Sequence, residues 1–323
     1  MVRKYHAHYV KLINPADAER GGWWSPATSS LDFCERNYRF EAIPVAEVFN
    51  AASSLALCAS GVLGLILARR ERVPYRFMAV AVLSIVMGLG SAAFHGTLTW
   101  FGQMGDELGM VYLVLGWTYC LLCMDGSRSS GARDTPAGEA EEDGEGVKLA
   151  SGERASLVRA SAAAPRPVAS RERPALAAVL VAYGVLWTLV HVQGRFTTAF
   201  QLHFALLVIG SDVVFRRRFE AWRMRGPGRD AVRLAVDLRK AYYGTIGVGL
   251  TCWLTDMFLC EYLERALPFN PELHALWHIA AAGYVWCAAL LALQLQWTDQ
   301  GDVTYMDRTW GCIPVLRRKA GAD

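Results

Sequence analysis

The sequence predicts an all-α membrane protein: a seven-transmembrane helix bundle with an intramembrane zinc site. Three observations predict it. More than half of the 323 residues are apolar, and they cluster in runs of about 20, the length that crosses a hydrocarbon core. His95, His274, His278 and the carboxylate Asp106 stand at the ends of those runs, where ionisable side chains are costly and tend to be functional. Three imidazoles that leave a fourth position open are the ligand set of a catalytic zinc.

The spans read, in order, as residues 46–68, 77–95, 104–124, 174–192, 197–215, 243–263 and 274–295. Arg69, Arg70, Arg72 and Arg76 follow the first span, RRRFEAWRMRGPGRDAVRLAVDLRK follows the fifth, and VLRRK lies beyond the seventh. The loops after the second, fourth and sixth spans are short or acidic. Because positive loops stay in the cytosol, segment 1–45 is expected to be lumenal and the tail 297–323 cytosolic. Residues 125–173 carry almost no large apolar side chain and are expected to form a disordered cytosolic loop between spans 1–3 (46–124) and spans 4–7 (174–296). In 230–242, Val232, Leu234, Val236 and Leu238 recur among basic residues, which predicts a helix lying on the cytosolic face.

The net charge is only +3, with no basic stripe interleaved with aromatics, so nucleic acid is excluded as a partner and the lipid bilayer takes its place. Most of the eight cysteines fall inside apolar runs, and the C-x-x-C pair Cys120/Cys123 reads as packing. Cys34 and Cys260 lie just outside spans on the same, oxidising side and are the best disulfide candidates.

His274 and His278 are four apart and share one helix face. His95 ends its span on the side where the seventh span begins, so the three rings meet at one depth. The segment HALWH lacks the glutamate of H-E-x-x-H, so a general base must come from elsewhere. Asp106, eleven residues beyond His95, is the candidate: zinc lowers the pKa of a bound water to about 7, and a carboxylate beside it takes a proton and returns it to a leaving amine. Ser91, one turn before His95, is placed to support an oxyanion. His191 and His203 show no matching carboxylate and read as structural; the bland alternative for Asp106, beside Glu107, is a solvated loop acid at a helix N-terminus. Asp32, Glu35, Asn37 and Glu47 are oxygen donors of the kind calcium uses, without EF-hand spacing.

The segments WSPATSSLDFCERNY, VAEVFN, GSAAFHGTLTWFGQMGDEL, WLTDMFLCEYL and ELHALWH, in this order, resemble the alkaline ceramidases, seven-span zinc amide hydrolases of a membrane superfamily that includes adiponectin-receptor-like proteins. The resemblance implies zinc on His95, His274 and His278, catalytic roles for Ser91 and Asp106, and a Cys34–Cys260 disulfide. It implies calcium on Asp32, the Phe33 carbonyl, Glu35, Asn37 and Glu47, with Phe33 standing where the family has tryptophan and one extra residue before Glu47. The implied substrate is a ceramide-type sphingolipid, and the implied residence the endoplasmic reticulum or Golgi membrane. A lipid-sensing receptor and a hydrolase of GPI-anchor lipids are the alternatives.

Overall fold

A computed structural model describes residues 22–124, 172–194 and 197–319. The expected loop 125–173 lies almost wholly outside them, as do residues 1–21. Among the described residues seven helices follow one another: α1 (Val48–Arg70), α2 (Tyr75–Thr97), α3 (Trp100–Leu122), α4 (Pro174–Gly194), α5 (Thr197–Met224), α6 (Arg229–Ala266) and α7 (Leu273–Asp299). All except α3 are long and apolar enough to cross a membrane. Their outward faces are apolar too: α4 leaves Val179, Leu186 and Leu189 exposed and buries only Gly184 and His191. Polar solvent would penalise such a face, whereas lipid accommodates it. The protein is a multi-pass, mostly helical membrane protein.

Two spans differ from the sequence reading. The helix expected on the cytosolic face is not separate: residues 230–242 run without a break into the sixth span as the 38-residue α6, about 57 Å long at 1.5 Å per residue. No glycine or proline interrupts the backbone there, and Ala235, Leu238 and Tyr242 bury one continuous stripe in the main core. In the same way α5 continues past Phe215, because Phe219 and Trp222 extend its buried stripe through the arginine run.

The tail also differs. After α7, strands β1 (Val303–Thr309) and β2 (Ile313–Lys319) pair antiparallel, with Val303 opposite Lys319 and Thr309 opposite Ile313. Gly311 takes φ +75° in the connecting turn. Val315 and Leu316 are buried, the Trp286 Nε1–H donates to the Pro314 carbonyl at 2.9 Å, and Arg317 pairs with Glu71. The hairpin is therefore docked on α1 and α7 instead of trailing from them.

At the other end of the bundle the chain before α1 is laid across the end of α2. The last carbonyls of a helix have no intrahelical donors. Here Ala46 N–H donates to Gly96 O, Glu47 N–H donates to His95 O, both at 2.9 Å, and the Thr28 and Ser29 N–H groups donate to Leu98 O at 3.0 Å. Leu31, Phe33, Ala46, Phe94, Leu98 and Met257 form a small apolar core beneath this segment. The same backbone bonds bring the residues of 28–47 against the histidines.

Candidate active site

The α2–α3 corner sets the first half of the site. Leu98 adopts a left-handed conformation, φ +51°, and ends α2; Thr99 then caps α3, its side chain accepting from Gly102 N–H at 3.2 Å. His95 is thus in the last turn of α2 and Asp106 in the second turn of α3. The two helices touch backbone to backbone: a Cβ on Gly90 would sit against the Gly105 carbonyl and 2.9 Å from the Asp106 nitrogen. A Cβ on Gly105 would come no closer than 3.3 Å, to the Gly90 Cα. Gly90→Ala is therefore expected to wedge α3 away and lower turnover about 10²-fold, since a shift of about 1 Å at a catalytic group has that effect. Gly105→Ala should lose much less; equal losses would contradict this packing account.

His274 and His278 open α7 one turn apart. With His95 they form a buried triangle, ring centroids 5.0, 4.9 and 4.6 Å apart, and one nitrogen from each lies within 4.8 Å of the others. Hydrogen bonds assign the inward-facing atoms. His95 Nδ1 is 2.5 Å from Glu47 Oε2, which leaves His95 Nε2 buried without a partner. His278 Nδ1 is 2.9 Å from Ser53 Oγ, and His278 Nε2 is 3.4 Å from Ser91 Oγ. His274 packs its ring on Phe33 at 3.7 Å, with its Nδ1 buried and unpartnered. Buried imidazole nitrogens without hydrogen-bond partners are rare and need an explanation. Two such nitrogens, on His95 and His274, converging with His278 at ligand spacing fit a zinc ion, and Glu47 behind His95 stands where an outer-shell partner of a metal-bound imidazole would stand.

Ser91 is buried between the two halves. It accepts from Ser54 Oγ at 3.0 Å and hydrogen-bonds the Asp106 side chain. Asp106, partly buried, thus faces the histidines through Ser91.

The five expected calcium donors cluster where the N-terminal segment meets α1. Asn37 Nδ2 donates to Asp32 Oδ1 at 3.2 Å, while Asn37 Oδ1 is buried without a partner. The Glu35 oxygens accept from the Phe49 and Asn50 N–H groups, both at 2.8 Å, at the open N-terminus of α1. Glu47 Oε1 accepts from Phe33 N–H at 3.4 Å. Glu272, which precedes α7 with φ +51°, adds a buried unpartnered Oε2. Burial pushes Glu35 up to about 7, and burial together with the neighbouring Glu35 pushes Glu272 up to about 7. A crowded, desolvated set of carboxylates with orphaned oxygens fits a hard divalent cation, which would offset the repulsion.

Cys34 and Cys260 form a disulfide, Cα–Cα 5.5 Å, that ties this segment to α6 across 226 residues of sequence. Their sulfurs also lie near Glu264, but sulfurs joined to each other are not thiolate ligands. Asn270 Nδ2 donates to the Cys34 carbonyl at 2.7 Å, and Asp256 accepts from the Cys34 N–H at 3.0 Å.

The sequence reading missed several residues here. Glu107, given no role from the sequence, is buried, and His191 does have a carboxylate: its Nε2 lies 2.5 Å from Glu107 Oε2. Gln103 and Glu107, four apart within an otherwise apolar run, were the available signal. Asn50, Ser53 and Ser54, a polar stripe at helical spacing in the first span, were the signal for the group behind His278.

The sequence profile of the family described as "Ceramidase" matches residues 25–317, a stretch that contains every residue of this site. The chain belongs to the ceramidase family. It is similar to the "Alkaline ceramidase" of Arabidopsis thaliana, 26% identical over 295 residues that cover 91% of this chain and 94% of that one. It also resembles "Alkaline ceramidase 3" of Mus musculus, 39% identical over 103 residues, 32% of this chain and 38% of its relative. With "Alkaline ceramidase 1" of Homo sapiens it shares 33% identity over 90 residues, 27% of this chain and 33% of the other. The ceramidase family and the converging histidines rest on independent observations, one from sequence likeness and one from geometry.

Proposed function

We propose that this ceramidase-family protein hydrolyses the amide bond of ceramide, phytoceramide or dihydroceramide to a sphingoid base and a fatty acid. The observation that carries the proposal is the buried triangle of His95, His274 and His278 beside the Ser91–Asp106 pair. A zinc ion held there supplies Lewis-acid chemistry, polarising a carbonyl and acidifying a water. Glu47 holds the proton on His95 Nδ1, so that Nε2 offers its lone pair. Asp106 takes the proton from the attacking water and passes it to the departing amine nitrogen. The Ser91 O–H donates to the Asp106 carboxylate and orients it; once Asp106 has taken the water's proton it no longer needs that donor, and the hydroxyl can turn to the oxyanion that develops on the amide oxygen.

A narrow apolar cavity of about 80 Å³ lies among α1, α2 and α7, lined by Gly64, Leu67, Val80, Ala81, Ala289 and Leu290; it begins at Ser60, Ser84 and Val285, about two helical turns from Ser53, Ser91 and His278, and leads toward the β-hairpin end. Its apolar walls suit an alkyl chain, and the exposed apolar helix faces leave further tail surface to the lipid. α3 is read as the seventh crossing, its polar side chains Gln103 and Glu107 turned inward. The histidine end is lumenal and the β-hairpin cytosolic, in the endoplasmic reticulum or Golgi membrane: the disulfide needs an oxidising side, and the arginine-rich ends of α1 and α5 stay in the cytosol. Asp32, the Phe33 carbonyl, Glu35, Asn37 and Glu47 hold calcium, which braces the N-terminal segment over the site.

Release of sphingoid base from ceramide by the purified chain, beside His278→Ala and with a zinc chelator, tests the reading. Release is expected from the wild type alone and only without chelator. An unimpaired His278→Ala enzyme would end the zinc assignment, and a zinc-loaded wild type that releases no base would end the ceramidase reading in favour of a lipid-sensing receptor.

A further inference from the structure

Asp106 and Glu107 are consecutive on α3 and therefore point about 100° apart. Asp106 turns to Ser91 and the histidines. Glu107 turns to the face packed on α4, where it is 2% exposed and holds a hydrogen-bonded chain together. Its Oε2 lies 2.5 Å from His191 Nε2 on α4, and its Oε1 accepts from Gln103 Nε2 at 2.9 Å. Gln103 in turn receives the Ser30 N–H at 2.7 Å on its Oε1 and donates to Ser30 Oγ at 2.8 Å. Ser30 Oγ is 2.9 Å from Thr197 Oγ1, the first residue of α5. Four separate elements meet at a network one residue from Asp106.

The His191 ring is itself fixed. It stacks on Trp187 at 5.8 Å and lies 5.2 Å from Phe200. α4 buries only Gly184 besides His191, so this ring is its principal anchor. On the far side of α3 the Gly90–Gly105 contact prevents approach to α2, and on the near side the buried Glu107–His191 bond prevents rotation away from it. A helix gripped from both sides has one rotational setting, and that setting decides where Asp106 points.

We propose that His191 is a positioning residue for the reaction: through Glu107 it fixes the rotation of α3 that aims Asp106 at the histidine triangle. The proposal rests on the reading of Asp106 as the proton-transferring group. Asp106 would need to be held within a fraction of an ångström, and a buried charge-assisted hydrogen bond is stiff enough to do that. The neighbour's carboxylate is a lever because it spans two partners, Gln103 on its own helix and His191 on α4, and only the second ties α3 to another span.

The test compares His191→Leu, His191→Gln, Glu107→Gln and the double variant His191→Leu/Glu107→Gln in the full chain, measuring kcat, KM and zinc stoichiometry with ceramide. His191→Leu is expected to lower kcat about 10²-fold with KM and zinc unchanged. His191→Gln places an amide N–H near the site of Nε2 and should recover most of that loss. The double variant should be no slower than His191→Leu, because the two residues act as one unit. Wild-type kcat in His191→Leu, equal impairment in His191→Gln, or multiplying losses in the double variant would each overturn the proposal. If His191→Leu does not fold, His191→Gln and the double variant, which removes the stranded charge, still decide it. Asp106→Asn in parallel separates the premises: an active Asp106→Asn ends the reading of Asp106, whereas an inactive one beside a normal His191→Leu ends only the role of His191.

Discussion

Asp106→Asn is expected to lower kcat for ceramide hydrolysis by about 10²–10⁴-fold, the range of a lost general acid–base, while zinc stays bound in stoichiometric amount. The asparagine has the shape of the carboxylate and keeps a hydrogen bond with Ser91, so α2 and α3 remain packed at Gly90 and Gly105. What disappears is the ability to accept a proton. That loss corresponds to about 3–5 kcal/mol of transition-state stabilisation. Because Asp106 is not one of the three converging nitrogens, metal content should be insensitive to the change. Turnover with ceramide and zinc content by elemental analysis check both halves. A variant that lost its zinc together with its activity would show Asp106 to be a ligand, and one with normal turnover would move proton transfer to another group.

Glu47→Ala is expected to weaken zinc binding by about 10–100-fold, the effect of removing an outer-shell partner of a metal-bound histidine. In the structure Glu47 is fully buried, and its Oε2 is 2.5 Å from His95 Nδ1. Without it the proton on Nδ1 has no acceptor, and the tautomer that leaves Nε2 free loses its preference. Glu47→Gln keeps an acceptor oxygen and should lie between the two. Glu47 also accepts from Phe33 N–H and receives Asn50 Nδ2 at 3.2 Å, so the calcium dependence of activity should shift in the same variants. Zinc competition against a chelator of known affinity measures the first effect. Unaltered zinc affinity in Glu47→Ala would remove the carboxylate from the metal's support.

Much of the site was legible because the chemistry needs rare residues in costly places. His95, His274 and His278 stand out against apolar runs, and the side of each span on which they fall follows from counting crossings. Glu107 and His191 were not legible in this way. Gln103 and Glu107 in an apolar run signal a polar contact but not its partner; 84 residues separate Glu107 from His191, so only the packing of α4 on α3 makes them a pair. Glu272 was hidden for a similar reason: it lies in a short turn, and its membership in the oxygen cluster depends on where that turn folds.

The helices' existence was set by the sequence alone, since a run of about 20 apolar residues with no water to satisfy its backbone has no other stable state in a membrane. Their ends were not. α5 and α6 overrun their apolar spans because Phe219, Trp222, Ala235 and Leu238 find partners in the core, a gain that no local pattern of hydropathy records. The β-hairpin likewise depends on the exposed flank of α1 and α7 that receives Leu316 and Arg317. Sequence thus determined which groups are too expensive to leave unemployed within the membrane, because desolvation acts on each residue individually. Tertiary structure decided which of them act together, because a hydrogen bond of 2.5 Å between His95 and Glu47, or between His191 and Glu107, depends on helix positions set by every other contact in the bundle.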